Sequence, residues 1–165
     1  MTRAEEGPPA REVQIAVPGD LVLVQEFGLL VWAGAFTVSS EGFGFALRIT
    51  AEVSDSGVRM PEPFALHANQ RDHGTWLSVR FADGRSCTAV INGGAWSGDL
   101  DEMHVRFMFG DESTSDGRAD SRWWVSPLPP PGPVELVIHL NGRAGPEGAA
   151  ALDAAALLEA SAAVE

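Results

Sequence analysis

The residues best equipped for chemistry are few and scattered. His67 and His73 flank Ala-Asn-Gln-Arg-Asp, and Asp72 adjoins His73. An imidazole oriented by a carboxylate is half of a general-base arrangement, and the other half is a nucleophile within reach. No Gly-x-Ser-x-Gly elbow supplies one. Cys87 is the only cysteine, so no intrachain disulfide can form. It sits inside an alternating apolar segment, on the phase opposite Thr88 and Val90, and reads as structural. A small hydrolase or metal-dependent enzyme using His67, Asp72 and His73 is therefore the weakest of three functional readings.

Metal chemistry fares no better. Asp111, Glu112, Asp116 and Asp120 crowd one acidic stretch. An EF-hand loop places glycine at its sixth position and glutamate at its twelfth. Counting from Asp111, glycine arrives seventh, at Gly117, and the twelfth residue is Arg122. β-Sandwiches also bind calcium in apical loops of looser spacing, but a solvated loop is the simpler account. His104 and His139 both fall on the outward phase of their segments and could be neighbours on one face, where plain surface histidines are commoner than a metal pair. No catalytic residue, metal ligand or cofactor is assigned.

Five tryptophans in a chain without tyrosine are more informative. Trp123 and Trp124 are adjacent, so on a strand they point to opposite faces. Trp76 shares the polar phase of its segment with Ser78 and Arg80, and Trp96 lies in "GGAWSGD". Trp76, Trp96 and one of the Trp123/Trp124 pair would together make an exposed aromatic patch, suited to a protein contact or to stacking on sugar rings. The competing expectation is that the C-terminal helix or a proline corner covers them, because a sheet face and an orphan apolar helix need each other.

The elements that must position these side chains are strands. "FGFALRITAEV" puts Phe43, Phe45, Leu47, Ile49, Ala51 and Val53 on one face, with Gly44, Ala46, Arg48, Thr50 and Glu52 on the other. Before it, "LLVWAGAFTV" reads with Leu30, Trp32, Phe36 and Val38 on one side, and "SSEG" makes a hairpin turn between the two. "TWLSVRF", "ADGR" and "SCTAVI" form a second hairpin around an Asp-Gly turn. "EVQIAV", "DLVLV" (a short edge strand), "EMHVRFMF" and "SRWWV" follow the same alternation, as do Val134, Leu136, Ile138 and Leu140. Between the last two, Pro127 to Pro133 cannot donate to a ladder, so the segment is a stiff corner with Gly132 permitting a sharp change of direction. Its PxxP spacing also fits a docking motif, which usually sits in a disordered tail.

Residues 1 to 11 are polar and proline-containing and read as a flexible tail; Gly110 to Asp120 reads as a long mobile loop. "LDAAALLEASAAVE" is the one convincing helix, capped by Asp153, with Leu157, Leu158 and Val164 as a narrow apolar stripe. The expected organisation is a tail over 1–11, one β-sandwich over 12–142, then a linker and helix over 143–165. About eight strands without interleaved helices point to an antiparallel β-sandwich, with a flattened barrel as the alternative, and argue against a doubly wound nucleotide-binding fold.

Net charge is −12, and all eleven basic residues are arginine. A surface this acidic disfavours nucleic acid and anionic membranes. The N-terminal "MTRAEEGPPAREV" lacks the apolar centre of a secretory signal, and the apolar run Phe27 to Phe36 is too short to span a bilayer. A soluble cytoplasmic protein is expected.

"VRFADGR", followed by "RWWVSPLPPPGPVELVIHL" and the alanine-rich "LDAAALLEA", resembles a family of small uncharacterised actinobacterial proteins. In them a tryptophan strand leads through a "PLPPPGP" corner to another strand and a terminal helix; "GFGFALRI" is similar to their "GFEF"-type strand. The likeness runs from about Leu29 to the C-terminus and implies the layout alone. The favoured functional reading is a non-catalytic sandwich acting through protein contacts, as a homodimer or an accessory to another protein, with Trp76, Trp96, Trp123 and Trp124 as contact residues. A carbohydrate- or small-ligand-binding module using exposed tryptophans is the alternative.

Overall fold

The computed structural model describes residues 14–26, 28–51, 76–90, 96–98, 103–107, 113–115, 118–140 and 147–164. These form β1 (Ile15–Val17), β2 (Leu21–Glu26), β3 (Leu29–Val38), β4 (Phe43–Ala51), β5 (Trp76–Arg80), β6 (Ser86–Val90), β7 (Trp96–Gly98), β8 (His104–Phe107), β9 (Ser113–Ser115), β10 (Arg118–Ser126), β11 (Pro133–His139), β12 (Glu147–Asp153) and α1 (Ala154–Ala162). The larger sheet runs β1-β3-β4-β10-β8, with β2 also on β3 and β9 on β10; the smaller runs β12-β11-β5-β6-β7. Every pairing is antiparallel.

The two sheets share one core, which makes the molecule an antiparallel β-sandwich. Phe43, Phe45, Leu47 and Ile49 from β4 meet Leu77 and Val79 from β5 and Val134, Leu136 and Ile138 from β11, all shut away from solvent. Period-two alternation requires this outcome, since each strand has one apolar face to bury. Both expected hairpins form. Ser39 N–H donates to the Gly42 carbonyl across "SSEG", and Phe81 and Arg85 bracket the Asp83-Gly84 turn, where Gly84 adopts φ +91°.

One strand departs from its expected phase. Leu30 and Trp32 do not share a face with Phe36 and Val38: Val31 and Ala33 point inward instead, ahead of Phe36 and Val38. A bulge against β4 between Gly34 and Thr37 causes the switch, with Ala35 at φ +49°. An extra residue in one strand reverses the alternation beyond it. Trp32 consequently faces outward.

Two segments expected as irregular are strands. Ser113–Ser115 pairs with Arg118–Asp120 inside the supposed acidic loop. β12, in the supposed linker, matches β11 position for position from Pro133↔Asp153 to His139↔Glu147. Its composition hides it, because alanine and glycine carry little strand preference. Gly148 also marks a seam between the sheets: a Cβ there would run into the Leu23 carbonyl of β2.

The proline run is the expected corner. It carries the chain from β10 in the larger sheet to β11 in the smaller one, through a cis Ser126–Pro127 bond and Gly132 at φ +121°. Pro129 is buried and Leu128 lies on the core. The Gly132 carbonyl accepts from Ala154 N–H at 2.9 Å, tying the corner to the start of α1. Asp153 caps that helix, accepting from Ala155 N–H at 2.9 Å. Leu157 then enters the core, and α1 lies against β1 and β3. Residues 1–11 lie outside the described residues.

Candidate functional site

The outward side chains of the larger sheet form a row set by strand register. Val22 on β2 faces Trp32 on β3, Trp32 faces Arg48 on β4, and Arg48 faces Asp120 on β10. The Arg48 guanidinium lies over the Trp32 ring at 5.9 Å from its centroid. Its Nε is 3.9 Å from Asp120 Oδ1, while Arg118 Nε donates to Asp120 Oδ2 at 3.2 Å. Asp120 Oδ1 is itself buried and accepts no hydrogen bond. Arg122, two positions further along β10, is exposed. Val22 is 50% exposed, the only large apolar side chain so open among the described residues.

Two rows over, Trp124 lies opposite Gly44. A Cβ on Gly44 would come 3.6 Å from its ring, and one on Gly42 would come 2.8 Å. The indole thus lies across a strip of bare backbone and is only 4% exposed despite its outward direction. An aromatic ring laid over a strand glycine replaces the side-chain contact the glycine lacks.

The outer face of the smaller sheet is built differently. Trp76 and His139 are register partners with ring centroids 5.8 Å apart. His139 Nδ1 is 3.6 Å from Glu147, the Ser78 and Thr88 hydroxyls are 2.7 Å apart, and Arg80 reaches Glu135 at 3.4 Å. The Trp76 indole N–H is buried and makes no hydrogen bond.

Of the expected tryptophan group, Trp76, Trp123 and Trp124 are not brought together. Trp123 points into the core, 1% exposed, with its Nε1–H donating to Ser121 Oγ at 3.0 Å. Trp124 and Trp76 lie on opposite outer faces of the sandwich. Trp96 stands on β7 opposite Ala89, and its side chain lies outside what is described. His104 belongs to the larger sheet and His139 to the smaller, so they share no face. His67, Asp72, His73, Asp111, Glu112 and Asp116 lie outside the described residues. Asp120, expected among the loop carboxylates, instead lies on β10 between Arg48 and Arg118.

Cys87 is buried in the core, and that burial pushes its thiol above the ordinary range, against a smaller opposing effect of hydrogen bonds with the Val105 and Thr88 backbone. At neutral pH the sulfur is the protonated, poorly nucleophilic form. Among the described residues no three His, Cys, Asp or Glu side chains are grouped so as to hold a metal ion, and no helix is long and apolar enough to cross a membrane.

Sequence reasoning missed Trp32 as a surface residue, because its phase is decided by a bulge. Arg48 was legible as outward on β4. Arg118 was hidden by reading its segment as a loop. No family model, no curated protein and no solved structure matches the chain.

Proposed function

We propose that this protein is a non-catalytic β-sandwich that acts through protein contacts, and that the outer face of the larger sheet is the contacting surface. The observation that carries the reading is the Val22–Trp32–Arg48 row. It places an exposed aliphatic side chain, a half-buried indole and a guanidinium side by side on a strand-borne platform. Tryptophan and arginine are the residue types that most often dominate binding energy at protein interfaces, where both lose water against a complementary surface. A rigid sheet also holds them in place before binding, which lowers the entropy of ordering. The partner is a second copy of the chain or a separate protein that this one accompanies.

Site-specific photo-cross-linking in the producing cell tests this. A photo-reactive residue at position 22 should yield a discrete protein adduct, and one at position 88, on the outer face of the smaller sheet, should not. Adding Trp32→Asp should remove the adduct while the protein still folds. A strict monomer with no adduct from position 22, or equal adducts from both positions, overturns the proposal.

A further inference from the structure

Acidic residues outnumber arginines by 23 to 11 along the chain, yet the outer face of the larger sheet gathers arginine. β10 turns Arg118, Asp120 and Arg122 outward at alternate positions, roughly 7 Å apart along a strand. Arg48 stands beside the middle one. Two guanidinium groups thus share a single carboxylate, and a third arginine stands exposed two positions along the same strand. Arg118 uses its Nε–H on Asp120, and Arg48 approaches the same carboxylate only to 3.9 Å. Arg122 makes no ion pair among the described residues. Each guanidinium offers five N–H donors in a planar fork that matches a carboxylate, so most of that capacity is open. Among the described residues, the carboxylate of Asp20 is turned onto Gly34, two strands away from Arg122 in the same row.

We propose that Arg48, Arg118 and Arg122 form a recognition site for a carboxylate-rich segment of the protein partner, with Asp120 as an internal occupant of one seat. This rests on the larger sheet's outer face being the contact surface. Charge complementarity identifies the occupant. The screening length at physiological salt is about 8 Å, so a short acidic segment feels the local guanidinium cluster rather than the distant net charge. A long phosphate polymer would extend past the cluster onto the acidic remainder of the surface. Trp32 and Val22 complete the site by receiving the aliphatic parts of the same segment. The partner's carboxylates bind bidentately to Arg122 and Arg118, and Asp120 holds the Arg118 fork in place between encounters.

The test is NMR of the full-length protein titrated with an oligo-glutamate peptide, with inorganic phosphate and a short single-stranded DNA as competing anions. The peptide should shift the Nε–H signals of Arg48, Arg118 and Arg122 and the Trp32 indole, more strongly at low salt. Arg122→Gln should weaken binding about tenfold, as loss of a charge-assisted hydrogen-bond pair does. Asp120→Asn, which removes the internal competitor at constant shape, should strengthen it by a few-fold, and Arg80→Gln on the opposite face should leave it unchanged. Shifts spread over all arginines, indifference to Arg122→Gln, or tighter binding of phosphate or DNA than of the peptide would each overturn the proposal. A position-22 adduct that survives Arg122→Gln without any peptide response sinks the acidic-segment chemistry alone. Peptide binding without any adduct sinks the contact surface.

Discussion

The two outer faces of the sandwich stand on one core and use the same kind of strand, but their polar groups are disposed in opposite ways. On the smaller sheet, the Trp76 indole N–H apart, they are spent on one another: Arg80 on Glu135, His139 on Glu147, Ser78 on Thr88. On the larger sheet Arg48 and Arg118 share the single carboxylate of Asp120, Arg122 stands exposed two positions along the same strand, and an indole lies under one guanidinium. A face whose donors and acceptors are matched within its own sheet has little left with which to recognise anything. A face with surplus donors beside aromatic area does. The difference follows from numbers rather than register: Arg80 directly opposes Glu135 on the smaller sheet, whereas on the larger sheet Asp120 is opposed by Arg48 and also has Arg118 and Arg122 two positions away along its own strand.

Trp124 on the larger face and Trp76 on the smaller are also held differently, and this gives the largest expected effect. Trp124 is 4% exposed over glycine backbone, whereas Trp76 is only half-buried. Trp124→Ala should cost about 3 kcal/mol in urea unfolding, the lower end for truncating a buried tryptophan. Trp76→Ala should cost about 1 kcal/mol, since less apolar area returns to water. Equal losses would erase the contrast, because they would mean the two rings are covered alike.

How much of this was legible in the sequence depended on where side-chain volume could speak. Phe43 to Ile49 and Val134 to Leu140 announce their buried faces, since a large apolar group at every second position has no other use, and the sandwich follows from such runs. β12 stayed silent because Glu-Gly-Ala-Ala-Ala-Leu-Asp has almost no bulk to alternate; its strand character comes from pairing with β11, a tertiary fact. The direction of Trp32 was unreadable for another reason. A bulge needs no signature residue, and Ala35 takes the left-handed φ that glycine would usually provide. The tryptophans therefore looked like a patch when counted by phase along each segment, although phase alone does not say which sheet a strand joins.

A smaller effect separates the arginines. Arg48→Ala removes the guanidinium from the Trp32 face and leaves Asp120 with Arg118 alone, and it should lower stability by about 1 kcal/mol in thermal melts, the range of a partly desolvated cation–π contact plus a long ion pair. The loss should shrink in Arg48→Met, whose aliphatic chain still covers part of the indole. If Arg48→Met is as costly as Arg48→Ala, the charge rather than the covering carbon is what Trp32 feels, and the row is held electrostatically.

The smallest effect is expected on the other face. Arg80 and Glu135 are 65% and 41% exposed and 3.4 Å apart. Water solvates both groups well at such exposure, so the pair gains little over its separated ions. Arg80→Ala should change stability by no more than about 0.5 kcal/mol, less still at high salt. Its importance lies in sign rather than size. A double-mutant cycle with Glu135→Ala should return a small favourable coupling, because each charge is the other's register partner and neither faces a like charge across the ladder. A coupling of zero would mean that the smaller sheet's charges are as unspent as those of the larger one. The distinction between a self-satisfied face and a receptive one would then fail at its most direct point.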